Sequence, residues 1–353
     1  MRALTVPAGG FREIAVLRLS SLGDIVLTLP VVHALRAAFP AARLHYWVKE
    51  EYADLLRFDA AVDHVRVLER DARRLEDLVS MSAELESCDL LVDLHASVRT
   101  RLLTLRQRAP VLRPVSQRWL RERWVHARWT RPRPADPVLR RYASALAPIG
   151  LAAAGEPRLS AGPEAEAWAS DLLAGWRGAR GPIALCPGAR HPTKCWPQER
   201  WLALDQALAE AGGTRIVFST AAEKRALPQL AARIEADPRA RWCLEPLPRM
   251  AALLSRVAVA VTHDSGLMHL AAARGTKVVA LFGSTSPVLG FAPAGAGHEV
   301  LCRDEPCQPC TLHGRAACPR GHFRCMLGIE VAQVLAAIER ARAAGLSGGE
   351  PVT

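Results

Sequence analysis

Short apolar runs alternate with longer stretches of helical spacing along nearly the whole chain. In the first half, the runs predict strands at 13–19, 43–48, 64–68 and 89–93. The stretches between them predict a helix that follows SSLGD and runs through Phe39, a helix that begins at Glu51, and a helix that ends at Leu85. Pro30 lies inside the first of these helices and should kink it or end its first part. Strands that alternate with helices predict a parallel sheet covered on both faces.

The same alternation restarts after a Gly- and Pro-rich loop at 148–163, which follows a predicted helix at 138–147. Strands are predicted at 182–186, 215–219, near Trp242, and at 258–262 and 277–282. Helices are predicted at 198–211, 223–236, 250–255, 267–273 and 331–344. A chain of 353 residues is too long for one ordinary core. We therefore expect two doubly wound α/β domains, at 1–160 and 161–353.

The composition is globular, with 50% hydrophobic and 23% charged residues. No apolar run approaches the roughly 20 residues that span a bilayer. The first residues lack the apolar stretch of a secretory signal. These features predict a cytoplasmic protein.

A net charge of +11 predicts anionic partners without identifying them. Between Arg99 and Arg141 there are thirteen arginines and only two acidic residues, Glu122 and Asp136. This segment is either a solvated helical face or a surface for anionic lipid or a phosphorylated acceptor. Its tryptophans, at positions 119, 124 and 129, would suit single-stranded nucleic acid, but a spacing of five does not put them on one helical face. We therefore predict contact with anionic membrane and none with nucleic acid.

Two predicted junctions between a strand and a helix carry small residues with a carboxylate. One is Ser20–Asp24 and the other is Thr262–His269. Helix N-termini at the mouth of an open α/β sheet bind anions, so both junctions are candidate sites. The alternatives are ordinary: Asp24 and Asp264 could cap helices, and His269 could be a helix histidine with satisfied hydrogen bonds.

The loop after the strand at 182–186 contains one of only four lysines in the chain, Lys194, beside Thr193 and a glycine turn at Gly188. A lysine there could neutralise a diphosphate as a point charge. The alternative is a surface lysine next to a core Trp196. The chain has neither a Walker A motif nor GxGxxG, which argues against P-loop hydrolysis and dinucleotide oxidation.

Five segments between Ile14 and Ile329 resemble, in order, glycosyltransferase family 9, the bacterial heptosyltransferases. They are LRLSSLGDIVLTLP, LVDLHASVRTRLL, LCPGARHPTKCWP, VTHDSGLMHLAAARGTKVVALFGSTSP and the cysteine-bearing tail. The chain departs from the family at His263, where TNDSG is usual. The stretch LEPLPRMAALL, expected near the adenine, aligns loosely.

This resemblance implies GT-B architecture, with two Rossmann-like domains facing a central cleft, the first for the acceptor and the second for the nucleotide sugar. Asp24 would be the general base of an inverting transfer. Ser21, Gly23 and Arg99 would lie near the acceptor or its phosphates. The donor would be held by residues of the second domain: Thr193, Lys194, Glu223, Asp264, Ser265, Gly266 and His269.

The resemblance further implies ADP-heptose as donor, the lipopolysaccharide inner core as acceptor, and no cofactor or catalytic metal. Two alternatives keep the fold: a family 9 transferase that uses another nucleotide sugar, and a GT-B sugar-nucleotide epimerase. A third, a binding protein for nucleic acid or membrane, would have no enzymatic activity.

Four cysteines near the C-terminus follow a spacing with one CxxC pair: Cys307, Cys310, Cys318 and Cys325. This spacing permits a structural zinc site, reduced thiols or a disulfide. None of the three is required for the expected chemistry.

Overall fold

The computed structural model describes residues 3–68, 75–126, 133–176 and 181–347. The chain divides into two compact units. The first comprises 1–116 and 138–162, and the second comprises 117–137 and 163–353. Among the described residues, no helix is both long enough and apolar enough to cross a bilayer.

The described part of the first unit contains a parallel sheet of order β3-β2-β1-β4-β5. Its strands are β1 (Glu13–Leu17), β2 (Arg43–Lys49), β3 (His64–Leu68), β4 (Leu90–Asp93) and β5 (Val111–Leu112). Its helices, numbered along the chain, are α1 (Leu22–Ala38), α2 (Glu50–Ala53), α3 (Leu75–Leu85), α4 (Val98–Leu103) and α6 (Val138–Ala143). A core under β1 and β4 includes Ala15, Leu17 and Leu91, all fully buried.

The described part of the second unit contains a parallel sheet of order β11-β10-β9-β6-β7-β8. Its strands are β6 (Ile183–Cys186), β7 (Arg215–Phe218), β8 (Ala240–Cys243), β9 (Val259–His263), β10 (Lys277–Phe282) and β11 (Glu299–Cys302). Its helices are α5 (Arg118–His126), α7 (Pro163–Leu173), α8 (Gln198–Glu210), α9 (Ala221–Ala226), α10 (Pro228–Ala236), α11 (Leu247–Leu254), α12 (Gly266–Ala273), α13 (Arg324–Leu327) and α14 (Val331–Ser347). The prediction of two parallel-sheet α/β halves is confirmed.

Two of the predicted helices contain proline, and the structure shows a different outcome for each. Pro30 does not end α1, which continues from Leu22 to Ala38, and the residues on either side of the proline are buried. The single helix predicted at 223–236 is instead two helices, α9 and α10. They separate at Leu227, whose φ of −124° and ψ of 59° leave the helical region because Pro228 follows it.

Several elements were absent from the prediction. The edge strands β5 and β11 have two and four residues, and α7 begins at the proline where a loop was predicted to end. The helix predicted at 138–147 has α geometry only to Ala143 and continues as a 3₁₀ helix, Ser144–Ile149.

The arginine-rich segment is divided between the two units, with residues 117–137 in the second. Within it, Trp119 is 59% exposed and Arg118 pairs with Glu122, while the Trp124 indole donates to the Arg133 carbonyl. Arg128, Trp129 and Arg131 lie outside the described residues.

Candidate functional site

In the first unit, the chain leaves β1 and enters α1 through the predicted Ser20–Asp24 junction. Ser21 is the N-cap of α1, so Asp24 is the third helical residue and not the cap itself. The Ser21 hydroxyl donates to Asp24 Oδ2 over 2.9 Å, and Gly23 is buried in the first turn. Arg18, from the end of β1, places its guanidinium Nη2 2.7 Å from the same Oδ2. Asp24 therefore supports the helix start and also belongs to a polar cluster.

Tyr142 of α6 completes this cluster. Its hydroxyl donates to Asp24 Oδ1 over 2.6 Å, and the Arg18 guanidinium lies 5.4 Å from its ring centroid. Only 7% of Tyr142 is exposed. Arg18 is fixed from the other side by a 2.9 Å bond from Nη1 to the Leu94 carbonyl. Both Asp24 oxygens thus accept hydrogen bonds from side chains that are themselves held in place.

The charge state of Asp24 follows from these contacts. Burial alone would raise its pKa, but the Arg18 charge and the hydrogen bonds from Tyr142 and Ser21 bring the pKa below the ordinary value. Burial and the Asp24 charge raise the pKa of Tyr142 far above its usual range, so Tyr142 keeps its proton. A carboxylate that is ionised at neutral pH can accept a proton from a substrate hydroxyl.

The loop from β4 to α4 lies beside this junction because β4 pairs with β1. His95 in that loop donates its backbone amide to the Leu17 carbonyl over 2.9 Å. Burial and the nearby Arg18 charge lower the pKa of His95 to about 4, so the imidazole is neutral at pH 7. Arg99 lies in the first turn of α4, after a capping interaction in which Ser97 accepts from the Thr100 amide.

In the second unit, Lys194 and Asp264 come together although seventy residues separate them. Lys194 Nζ lies 2.8 Å from Asp264 Oδ2, and each side chain is less than 15% exposed. The Thr285 hydroxyl donates to the same oxygen over 2.7 Å. Asp264 precedes α12, whose N-cap is Ser265. The Lys194 charge is therefore held directly before a helix N-terminus.

Ser265 is the N-cap of α12 and Gly266 is its first residue, and the Ser265 side chain makes no capping hydrogen bond. The first amides of a helix lack partners within the helix and attract anions. His269, one turn further on, is 4% exposed. The ion pair and the helix start thus provide cationic and amide donors for one anionic group in the same unit.

Glu223 lies in the first turn of α9 and accepts from the Thr220 amide over 2.8 Å through its carboxylate. It also lies directly against the β6 loop, since a Cβ added at Gly188 would be 2.0 Å from Glu223 Oε1. Only a glycine permits this approach. The carboxylate is therefore positioned beside the loop that carries Lys194.

Thr193 is buried, with only 3% of its surface exposed to solvent. Its hydroxyl lies 2.9 Å from the Ser284 hydroxyl, donates to the Arg315 carbonyl over 3.0 Å and accepts from the Arg315 amide over 2.8 Å. These bonds tie the Lys194 loop to β10 and to the cysteine-bearing tail. The described contacts of Thr193 thus position its neighbour Lys194.

His263, the departure from the family pattern, links the same elements. Its Nε2 accepts from the Trp196 amide over 2.8 Å, and its Nδ1 lies 3.5 Å from the Gly188 carbonyl. Because Nε2 accepts, Nδ1 carries the proton. Burial lowers the pKa of His263 to about 4, which keeps this tautomer neutral.

All nine cysteines are free thiols, so the structure contains no disulfide in the tail. Cys307 Sγ lies 3.8 Å from His322 Nε2. Burial, together with the neighbouring thiols, raises the pKa of Cys325 to about 12. No group of three or more potential ligands in the described ranges is arranged to hold a metal ion.

Three residues that contact Asp24 or Asp264 were not predicted from the sequence: Arg18, Tyr142 and Thr285. Arg18 lies in the resembling segment LRLSSLGD and could have been chosen as a cation near Asp24. Thr285 follows β10, the strand next to β9, and the shared strand edge could have indicated it. Tyr142 had no local signal, because it reaches Asp24 from 118 residues away.

The sequence is similar to those of known glycosyltransferases. A family model described as glycosyltransferase family 9 (heptosyltransferase) matches residues 79–317. Lipopolysaccharide heptosyltransferase 2 of Escherichia coli K12 is 34% identical over 111 residues, which are 30% of this chain and 32% of that protein. The match thus spans about a third of the relative's length.

Two solved structures share the fold. The family 9 glycosyltransferase from Veillonella parvula superposes with a TM-score of 0.76 at 20% identity, over 94% of this chain and 97% of that one. The E. coli ADP-heptose lipopolysaccharide heptosyltransferase II gives 0.69 at 20% identity, over 95% and 99%. Since the family model covers more than half of the chain, this protein belongs to glycosyltransferase family 9.

Proposed function

We propose that this protein is an inverting glycosyltransferase that moves heptose from ADP-heptose to the inner core of lipopolysaccharide. The observation that carries the proposal is the Lys194–Asp264 pair directly before α12, with Glu223 beside the same loop. This set suits a nucleotide diphosphate: a cation and free amides for the phosphates, and a carboxylate for ribose hydroxyls. The names of the relatives support heptose and ADP-heptose.

In the proposed reaction, an acceptor hydroxyl oxygen forms a bond to the anomeric carbon of the donor. The bond from that carbon to the β-phosphate oxygen breaks, and ADP leaves with the electron pair. The hydroxyl proton passes to the Asp24 carboxylate, which Arg18 and Tyr142 keep ionised. Lys194 and the α12 amides stabilise the negative charge that grows on ADP. Attack opposite the leaving group inverts the anomeric centre.

Ser265, Gly266 and His269 belong to the proposed phosphate and sugar subsite, and Thr193 supports Lys194. Ser21, Gly23 and Arg99 belong to the proposed acceptor side. We further propose that the protein works in the cytoplasm in peripheral contact with the anionic inner membrane, where a lipid-anchored acceptor would be presented.

Ligand-dependent thermal stability tests the donor. A ligand that binds only the native state raises the melting temperature. We expect a selective shift with ADP and ADP-heptose among ADP, UDP, GDP, CDP and ADP-heptose. A shift with UDP or GDP alone would be compatible with glycosyl transfer but would exclude ADP-heptose as the donor.

Transfer itself is tested by product formation with ADP-heptose and a core acceptor, using wild type and Asp24→Ala. We expect the variant to fold, bind ADP and lose transfer. Undiminished transfer would remove Asp24 from the base role. Isomerised donor formed without any acceptor would instead favour the epimerase alternative.

A further inference from the structure

The outer side of α4 is apolar, which is unusual for a short surface helix. Val98, Leu102 and Leu105 are 76%, 60% and 75% exposed. Val98 and Leu102 are four residues apart and share one helical face, and Leu105 follows in the next turn, with its amide bonded to the Leu102 carbonyl. Thr100 and Leu103 face inward and are buried. One side of the helix is therefore buried, while the other side presents three aliphatic side chains to solvent.

Residues 98–108, which include α4, carry four arginines and no acidic residue. The arginines are Arg99, Arg101, Arg106 and Arg108. Arg101 and Arg106 are exposed, and no ion pair within 4.0 Å neutralises any of the four among the described residues. By contrast, Arg118 on α5 pairs with Glu122.

We propose that this surface, the α4 face (Val98, Arg101, Leu102, Leu105 and Arg106), docks on an anionic lipid bilayer. Aliphatic side chains would enter the headgroup boundary, and the arginines would extend to lipid phosphates. The inference deepens the proposed function and rests on it, because the proposed acceptor is anchored in a bilayer. It assigns the membrane contact to a defined face of the first unit.

The chemistry of the α4 face argues against other occupants. It has no aromatic side chain on which nucleic acid bases could stack. A second copy meeting it through a two-fold axis would bring like charges together, because such an interface uses the same patch on both subunits. A bilayer with acidic headgroups accommodates both the apolar side chains and the charge.

Vesicle flotation of the full chain without nucleotide or acceptor tests this proposal. Vesicles of phosphatidylglycerol with phosphatidylethanolamine are compared with phosphatidylcholine alone, at low salt and at about 0.5 M salt, where screening is strong. We expect binding to the anionic vesicles only, and loss of it at high salt. Equal binding to both vesicle types, or none to either, would overturn the proposal.

Three double variants locate the surface. Arg101→Gln with Arg106→Gln should lower partitioning about 25-fold, since each basic residue near an anionic surface contributes about fivefold. Leu102→Ser with Leu105→Ser should also lower it, at unchanged net charge. The matched control, Arg241→Gln with Arg320→Gln, removes two exposed arginines from the second unit and should change partitioning less than twofold. An equal loss in the control would mean that total charge, not the α4 face, drives binding.

Two further measurements distinguish membrane docking from self-association and from the proposed transfer activity. Sedimentation velocity without vesicles reports self-association; if the leucine variant abolishes a dimer and leaves vesicle binding intact, the α4 face is an interface between copies and the proposal fails. Transfer to a deacylated, water-soluble acceptor should proceed at the wild-type rate in the leucine variant, whereas transfer to a bilayer-embedded acceptor should slow. If no transfer occurs in wild type but the flotation results hold, the proposed function fails and the membrane face stands.

Discussion

Tyr142 donates a 2.6 Å hydrogen bond to Asp24, joining α6 to the first turn of α1 across 118 residues of chain. The bond is buried, and its donor keeps its proton because burial and the Asp24 charge raise the tyrosine pKa. Arg18 contacts the other oxygen of Asp24 and lies over the Tyr142 ring. The proposed base is therefore positioned by two side chains that need never contact substrate.

Replacing Tyr142 with Phe tests this positioning role. The variant keeps the ring but removes a hydrogen bond to a charged group, of a kind that contributes about 1.5–3 kcal/mol. Because that bond lowers the pKa of Asp24, its loss should raise the pKa of Asp24. The acid limb of the kcat profile should therefore move to higher pH.

Tyr46→Phe is the matched control for that experiment. Tyr46 is also buried in the first unit, but its hydroxyl contacts Thr28 over 2.7 Å and not Asp24. Tyr46→Phe removes a bond between two neutral hydroxyls and should lose less stability in denaturant unfolding than Tyr142→Phe. Only Tyr142→Phe should move the acid limb. Identical pH profiles for the two variants would show that the tyrosine hydroxyl is merely structural.

Lys194 is expected to bind the diphosphate of the donor, so Lys194→Gln should weaken ADP binding about ten- to a hundredfold. That range corresponds to the loss of a charge-assisted hydrogen bond. Isothermal titration of ADP gives the affinity directly. Lys277→Gln removes the same charge from the second unit at the start of β10, where Nζ donates to the Ala296 carbonyl. A comparable loss in both variants would indicate a general charge effect and contradict a specific Lys194 subsite.

The alternation of strands and helices predicted both units because core strands such as β1 and β10 contain continuous apolar runs. The strands β5 and β11 were not predicted: β5 has only two residues, and every second residue of β11 is exposed. Asp24 and Lys194 could be selected from local patterns. Their partners Tyr142 and Thr285 could not, because those contacts depend on how distant elements pack.

Gly188 is expected to be required for the position of Glu223. In Gly188→Ala the new methyl group would meet the Glu223 carboxylate, which is the flexible end of a side chain and would have to move. The cost is then the loss of its capping bond from the Thr220 amide, about 1 kcal/mol. The carboxylate should move away, so ADP affinity and melting temperature should both fall. Gly175→Ala is the control, since an added Cβ there meets nothing within 4 Å. If Glu223 is the obstacle, Glu223→Ala should restore the stability of Gly188→Ala; failure to do so would assign the defect to the backbone.

The lowered pKa of His263 should make the stability of the second unit depend on pH. The pKa of His263 is lowered from 6.5 to about 4 in the folded protein, so the unfolded chain binds a proton more readily. The free energy of unfolding should therefore be highest above pH 6.5 and fall between pH 6.5 and 4, by about 3 kcal/mol from this group. Protonation of Nε2 would remove the acceptor of the Trp196 amide and loosen the loop that carries Lys194. In His263→Asn an uncharged side-chain oxygen can accept that amide, so this component of the acid loss should disappear in urea unfolding at pH 7 and pH 5. An equally steep decline in the variant would assign the acid sensitivity to other groups, of which His95, with its pKa of about 4, is the first to test.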